Sequence, residues 1–105
     1  MELYLDTASL EEIREIAAWG VLGGVTTNPT LVAKVFSAKG ERLTEEKLSA
    51  HLKAICELAG GPVSAEVTAL EAQAMVEEGR RLAALHPHIV VKLPTTEEGL
   101  KACRA

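Results

Sequence analysis

Two short segments and the helix between them decide the fold: Val63-Ser64-Ala65-Glu66-Val67, then about Leu70 to Leu85, then Ile89-Val90-Val91-Lys92-Leu93-Pro94. In the first, apolar Val63, Ala65 and Val67 alternate with polar Ser64 and Glu66, the period of a strand. The last is a β-branched run that reads as a buried strand ended by proline. Between them Met75, Val76 and Leu82 recur at helical spacing, and Pro87 separates the helix from the next strand. Strand, helix, strand in this order calls for a parallel pair with a right-handed crossover.

Upstream the same unit is written twice more. Leu3-Tyr4-Leu5 is a short strand. Ser9-Leu10-Glu11-Glu12 fits a capping box, with Ser9 on the first turn and Glu12 reaching back. The helix it opens carries Leu10, Ile13, Ile16 and Ala17 on one face and stops at Gly20. Gly23 to Thr27 is a second strand. Asn28-Pro29 starts a helix with Asn as N-cap and Pro at the first helical position. Ser37 to Gly40 is a loop. Thr44 caps a further helix whose face is Leu48, Leu52, Ile55, Cys56 and Ala59, and Gly60-Gly61 ends it. Thr95-Thr96-Glu97-Glu98 reads as a second capping box, opening the last helix. The order is βαβαβαβ plus a helix start.

Size and composition bound the function. At 105 residues there is room for one small domain. Apolar residues make up 48%, and aromatics number one Trp, one Tyr and one Phe, so Leu, Val, Ile and Ala must build the core. A net charge of −4 without a basic stripe argues against nucleic acid and anionic membrane as partners. No apolar run reaches the ~18 residues of a membrane span. Met1-Glu2-Leu3-Tyr4 lacks the basic and apolar regions of a signal peptide, so a cytoplasmic location is expected. Cys56 and Cys103 fall on helices without metal-ligand spacing and read as reduced thiols. No G-x-G-x-x-G or G-x-x-x-x-G-K is present, so neither a dinucleotide nor a P-loop site is expected. His51, His86 and His88 read as surface residues, and Glu77, Glu78, Arg80 and Arg81 as a solvated helix face.

Lys92 is the residue that composition does not explain. An ammonium in an apolar strand is costly unless it is paired or deprotonated. A lysine held partly neutral attacks carbonyl carbon, which predicts Schiff-base chemistry. The plainer alternative is an edge-strand lysine that blocks aggregation. Strand parity discriminates between the two. Leu3 and Leu5 share one face, with Tyr4 and Asp6 on the other. Ala65 and Val67 oppose Glu66, and Ile89, Val91 and Leu93 oppose Val90 and Lys92. Each strand thus turns its apolar set one way and its ionisable residue the other. Asp6, Thr26, Asn28, Glu66 and Lys92 all lie near the C-terminal ends of strands, where parallel βα proteins carry their chemistry. Taken singly, Asp6 suits a turn, Asn28 an N-cap, Thr26 any strand and Glu66 an open sheet face. Only their shared face and shared end favour a site.

Leu5-Asp6-Thr7, Gly24-Val25-Thr26-Thr27-Asn28-Pro29 and Val90-Val91-Lys92-Leu93-Pro94 followed by Glu98-Gly99-Leu100 together resemble the transaldolase family. The similarity is to its small branch, which includes the fructose-6-phosphate aldolases, and it runs through the whole chain in order and spacing. The resemblance implies a parallel (β/α)8 barrel of TIM type. It implies Lys92 as the Schiff-base lysine. It implies Asp6 as the residue that takes and returns the proton of the substrate hydroxyl, and Glu66 as the carboxylate that handles protons, through water, as the imine forms and hydrolyses. Asn28 would hydrogen-bond the bound donor, with Thr26 as its neighbour. It implies no metal and no cofactor, because the iminium itself is the electron sink. Glu66 favours the transaldolases, since the aldolases of the branch carry Gln at that place. The implied reaction moves a dihydroxyacetone unit from a ketose phosphate to an aldose phosphate, in the pentose phosphate pathway. The alternatives are fructose-6-phosphate aldolase activity and a non-catalytic half-barrel module.

A full barrel takes about 200–250 residues. Residues 1–105 therefore read as the N-terminal half of a single barrel domain, a half-barrel or fragment of four βα units. Such a piece has two unpaired edges and an uncovered face. A homo-oligomer or assembly with the missing half-barrel is the expected partner, beside the sugar phosphate substrates. The phosphate-binding residues of the family lie in the second half and have no counterpart here.

Overall fold

A computed structural model describes residues 2–105. Four strands, β1 (Leu3–Asp6), β2 (Leu22–Thr26), β3 (Val63–Glu66) and β4 (Ile89–Lys92), form one sheet in the order β1-β2-β3-β4. Every neighbouring pair is parallel. The helices are α1 (Leu10–Ala18), α2 (Pro29–Ala38), α3 (Glu45–Ala59), α4 (Ala72–Ala83) and α5 (Glu97–Arg104). The chain is thus α/β with a four-stranded parallel sheet, the alternation expected from sequence. It is only 21 Å deep along its shortest axis, enough for one helix layer on one sheet.

The core lies between that sheet and its helices. Val25 and Val63 are inaccessible to solvent, as are Ile13 of α1 and Ile55 of α3, and Val32, Leu52, Met75 and Leu82 complete the layer. These are the periodic apolar residues of strand and helix, so hydrophobic burial and patterning agree. Four helix starts are capped by a side chain that accepts a backbone N–H: Ser9 from Glu12, Asn28 from Leu31, Thr44 from Lys47 and Thr96 from Gly99. Gly60 ends α3 at φ +65°, the left-handed conformation glycine adopts without strain. At Gly24 a Cβ would stand 2.5 Å from both Pro62 O and a ring carbon of Tyr4, so the bare backbone lets the Tyr4 ring lie over β2.

Several expectations need correction. The α2 helix runs on to Ala38, and the loop begins after it. The α4 helix begins at Ala72, and Leu70 stands out in solvent. Only half of the Ser9 capping box forms. The Ser9 N–H donates to Thr7 Oγ1 at 3.1 Å, which leaves Glu12 nothing to reach for. At α5 the cap is Thr96, one residue later than a Thr95 box requires, so Glu98 is released and instead accepts the Ala72 N–H at 2.7 Å. Glu78 is no solvated residue: its carboxylate accepts the N–H groups of Thr68 and Ala69, all at 2.9 Å. His51 is buried. It lies three residues after Leu48 and four before Ile55, on the apolar face of α3. Its Nε2 contacts the Ala8 carbonyl at 2.6 Å, and its ring meets Phe36 edge-on. A carbonyl can only accept, so Nε2 carries the proton.

Candidate active site

Asp6, Thr26, Glu66 and Lys92 share the sheet face away from the helices. Asp6 and Thr26 are register partners across β1 and β2, and Thr26 Oγ1 donates to Asp6 Oδ1 at 2.8 Å. Glu66 and Lys92 are register partners across β3 and β4, with Lys92 Nζ 4.0 Å from Glu66 Oε2. Asn28, two residues beyond Thr26, is fixed by its capping role: its Oδ1 accepts the Leu31 N–H at 2.9 Å, which leaves the Nδ2 protons to donate elsewhere. Asn28 and Glu66 help line one cavity of about 110 Å³ at the C-terminal ends of β2 and β3.

Lys92 is less buried than the apolar strand around it suggests. Its side chain is 43% exposed and that of Glu66 25%, and Val90, on the same face, is 53% exposed. The reason is that nothing among the described residues covers this face of β4. Such an ion pair contributes about 0–1 kcal/mol. It aligns the amine and the carboxylate more than it stabilises the fold. The two largest clefts, about 590 and 530 Å³, lie on the helix side: one beside Leu48 and Leu82, the other beside Glu46 and Lys53. Neither touches Asp6, Glu66 or Lys92, so the site is an open face rather than an enclosed pocket.

Three carboxylate and hydroxyl roles were missed. Glu78 and Glu98 pin the two ends of the β3–α4 connection, which directly follows Glu66. The bond from the Ala72 N–H holds the Glu98 carboxyl below its ordinary range, and Lys101 adds to this. Ser64 shares the parity of Glu66 and stands in register between Thr26 and Val90. That parity was the signal that could have found it. Cys56 is free and buried, its thiol pushed up chiefly by burial, whereas Cys103 is free and exposed. Among the described residues no group of His, Cys, Asp and Glu is arranged to hold a metal ion, and no helix is long and apolar enough to cross a membrane.

A lysine, two carboxylates and a threonine thus stand together on the open face of a parallel sheet, near its C-terminal edge, with the Asn28 amide beyond that edge. The sequence profile of the transaldolase/fructose-6-phosphate aldolase family matches residues 3–105, and the chain belongs to that family. It is 86% identical over 104 residues to a probable transaldolase of Thermus thermophilus, covering 99% of this chain and 47% of that protein. Probable transaldolases of Prosthecochloris aestuarii and a Roseiflexus species are 52% and 55% identical, over 46% and 43% of their lengths. The chain therefore spans about half the length of the curated relatives it matches.

Proposed function

We propose that the chain supplies the Schiff-base half of a transaldolase-type transferase, and that its sheet is the first four strands of a (β/α)8 barrel. The observation that carries this reading is the pairing of Lys92 with Glu66 on the face where Thr26 holds Asp6. In the reaction the Lys92 amine attacks the ketose carbonyl carbon. Glu66, through a water, protonates the leaving hydroxyl of the carbinolamine, and the iminium forms. Asp6 takes the proton from the hydroxyl on the carbon beyond the bond to be cleaved. That bond breaks, its electron pair flows into the iminium, and an aldose phosphate leaves. The enamine adds to a second aldose phosphate, Asp6 returns the proton, and hydrolysis frees Lys92. The amide Nδ2 of Asn28 holds a hydroxyl of the three-carbon unit. Sugar phosphates in a cytoplasmic pentose phosphate pathway are the substrates and setting this chemistry suits.

The open face bears on how the site is completed. An uncharged amine is favoured where water is excluded, so further strands must cover Lys92. A second copy of the chain or the remaining half-barrel is the proposed cover. The test is borohydride trapping with fructose 6-phosphate. It is run on the chain and on a fusion in which the chain replaces the matching 104 residues of the Thermus thermophilus relative. A covalent adduct on Lys92 that vanishes in Lys92→Ala is expected in the fusion. An adduct that persists in Lys92→Ala, or no adduct in either protein, refutes the reading. Glu66 favours transfer, so release of free dihydroxyacetone without an acceptor aldehyde would point to the aldolase activity instead.

A further inference from the structure

The Ser64 hydroxyl is shut off from solvent and, among the described residues, has no hydrogen-bond partner. A buried hydroxyl without a partner is destabilising, and native proteins keep few of them. Where one persists, selection for something other than stability is the physical explanation to test. Its position suggests what that is. Ser64 is the register partner of Thr26 on one side and of Val90 on the other. Thr26 spends its only hydroxyl proton on Asp6, at 2.8 Å, and keeps lone pairs that can accept. Lys92 lies two residues beyond Val90, on the diagonal from Ser64. Diagonal neighbours stand about 7–8 Å apart, within reach of a long side chain. The exposed Val90 between them leaves the space above it open.

We propose that Ser64 is a positioning residue of this same site, linking Lys92 to Asp6. This inference rests on the Schiff-base reading. In the reacting arrangement Ser64 turns about its Cα–Cβ bond to donate to Thr26 Oγ1, a bond not formed in the structure, the Lys92 nitrogen donates to Ser64 Oγ, and Thr26 donates to Asp6 as it already does. Every group in the chain then uses a donor it has and an acceptor its neighbour has free. The gain over the Glu66 pairing is chemical. A carboxylate holds the nitrogen as an ammonium, which cannot attack. A hydroxyl that accepts N–H aligns the uncharged amine and leaves its lone pair free for the carbonyl carbon. Lys92 thus moves from Glu66, at 4.0 Å in the resting arrangement, to Ser64 for the attack.

The test compares Ser64→Ala, Thr26→Val and the double variant in the same fusion, following the trapping rate against fructose 6-phosphate concentration. Ser64→Ala should slow trapping about fivefold to tenfold, the worth of one neutral hydrogen bond. Half-saturation should stay unchanged, because Ser64 does not touch the substrate. The double variant should be no slower than Thr26→Val alone, because the two act through one chain. In the 105-residue chain, thermal unfolding of Ser64→Ala should occur at the parent midpoint or above it. Trapping at the parent rate in Ser64→Ala, additive losses in the double variant, or a lowered midpoint would each overturn the proposal while Lys92 still traps. If the parent fusion traps nothing, the Schiff-base reading falls and this inference falls with it.

Discussion

The two faces of one sheet have been put to opposite uses. On β3 and just after it the helix-side residues Val63, Ala65 and Val67 are 0%, 2% and 5% exposed, with α3 packed over the strand. Between them Ser64 and Glu66 point the other way, onto a face that also carries Asp6, Thr26 and Lys92. The first face holds the fold together by burial. The second holds one unpartnered hydroxyl, one long ion pair and a half-exposed amine, arrangements that stabilise little. Alternation at period two keeps the functions apart, so a short strand serves both without compromise.

That contrast can be broken most directly at Lys92. Lys92→Met should remove the borohydride adduct entirely while changing unfolding free energy by no more than about 1 kcal/mol, the worth of an exposed ion pair. Loss of adduct and fold together would show that the open face also carries stability. The mirror experiment is Ile55→Ala on the helix side. It should cost about 2–5 kcal/mol in denaturant unfolding and leave trapping by the folded fraction intact.

A smaller effect tests the junction of the two faces. Glu78→Gln weakens the charge-assisted bonds to Thr68 and Ala69, and should cost about 1–3 kcal/mol. Amide exchange should quicken at those two residues while the α3 core stays protected. Uniform quickening would mean that the loop and the core open as one unit. The smallest effect is at Glu98. Its carboxyl titrates below its ordinary value because it accepts the Ala72 N–H. A depressed carboxyl contributes stability that is fully present above its unfolded value, near 4.5, and is lost as pH falls through the lower folded value. Acid unfolding of Glu98→Gln should therefore show a shallower pH dependence below about 4.5 than the parent. Identical curves would remove the Ala72 bond from the account.

Different parts of the molecule were legible for different reasons. The strands and helices, the caps at Ser9, Asn28 and Thr44 and the Gly60 stop depend on neighbours within a few residues, so a reading along the chain finds them. Which face of each strand carries Asp6, Glu66 and Lys92 follows from parity and was equally legible. His51 was misplaced although its spacing put it on the apolar face of α3. A polar imidazole suits a surface unless it has a partner, and the Ala8 carbonyl that satisfies it lies 43 residues away. Glu78 and Glu98 were misread for the same reason, since their partners are backbone amides of another segment.

By itself the sequence determined an alternating parallel α/β chain with a lysine, two carboxylates, a threonine and an asparagine at one end and on one face. Period and propensity are local, and they persist whatever the chain packs against. The tertiary structure alone decided which polar groups meet. It joined Thr26 to Asp6, set Lys92 4.0 Å from Glu66 and left Ser64 unpartnered between the pairs. It also left Lys92 open to water, because burial depends on what covers a strand and not on the residues within it.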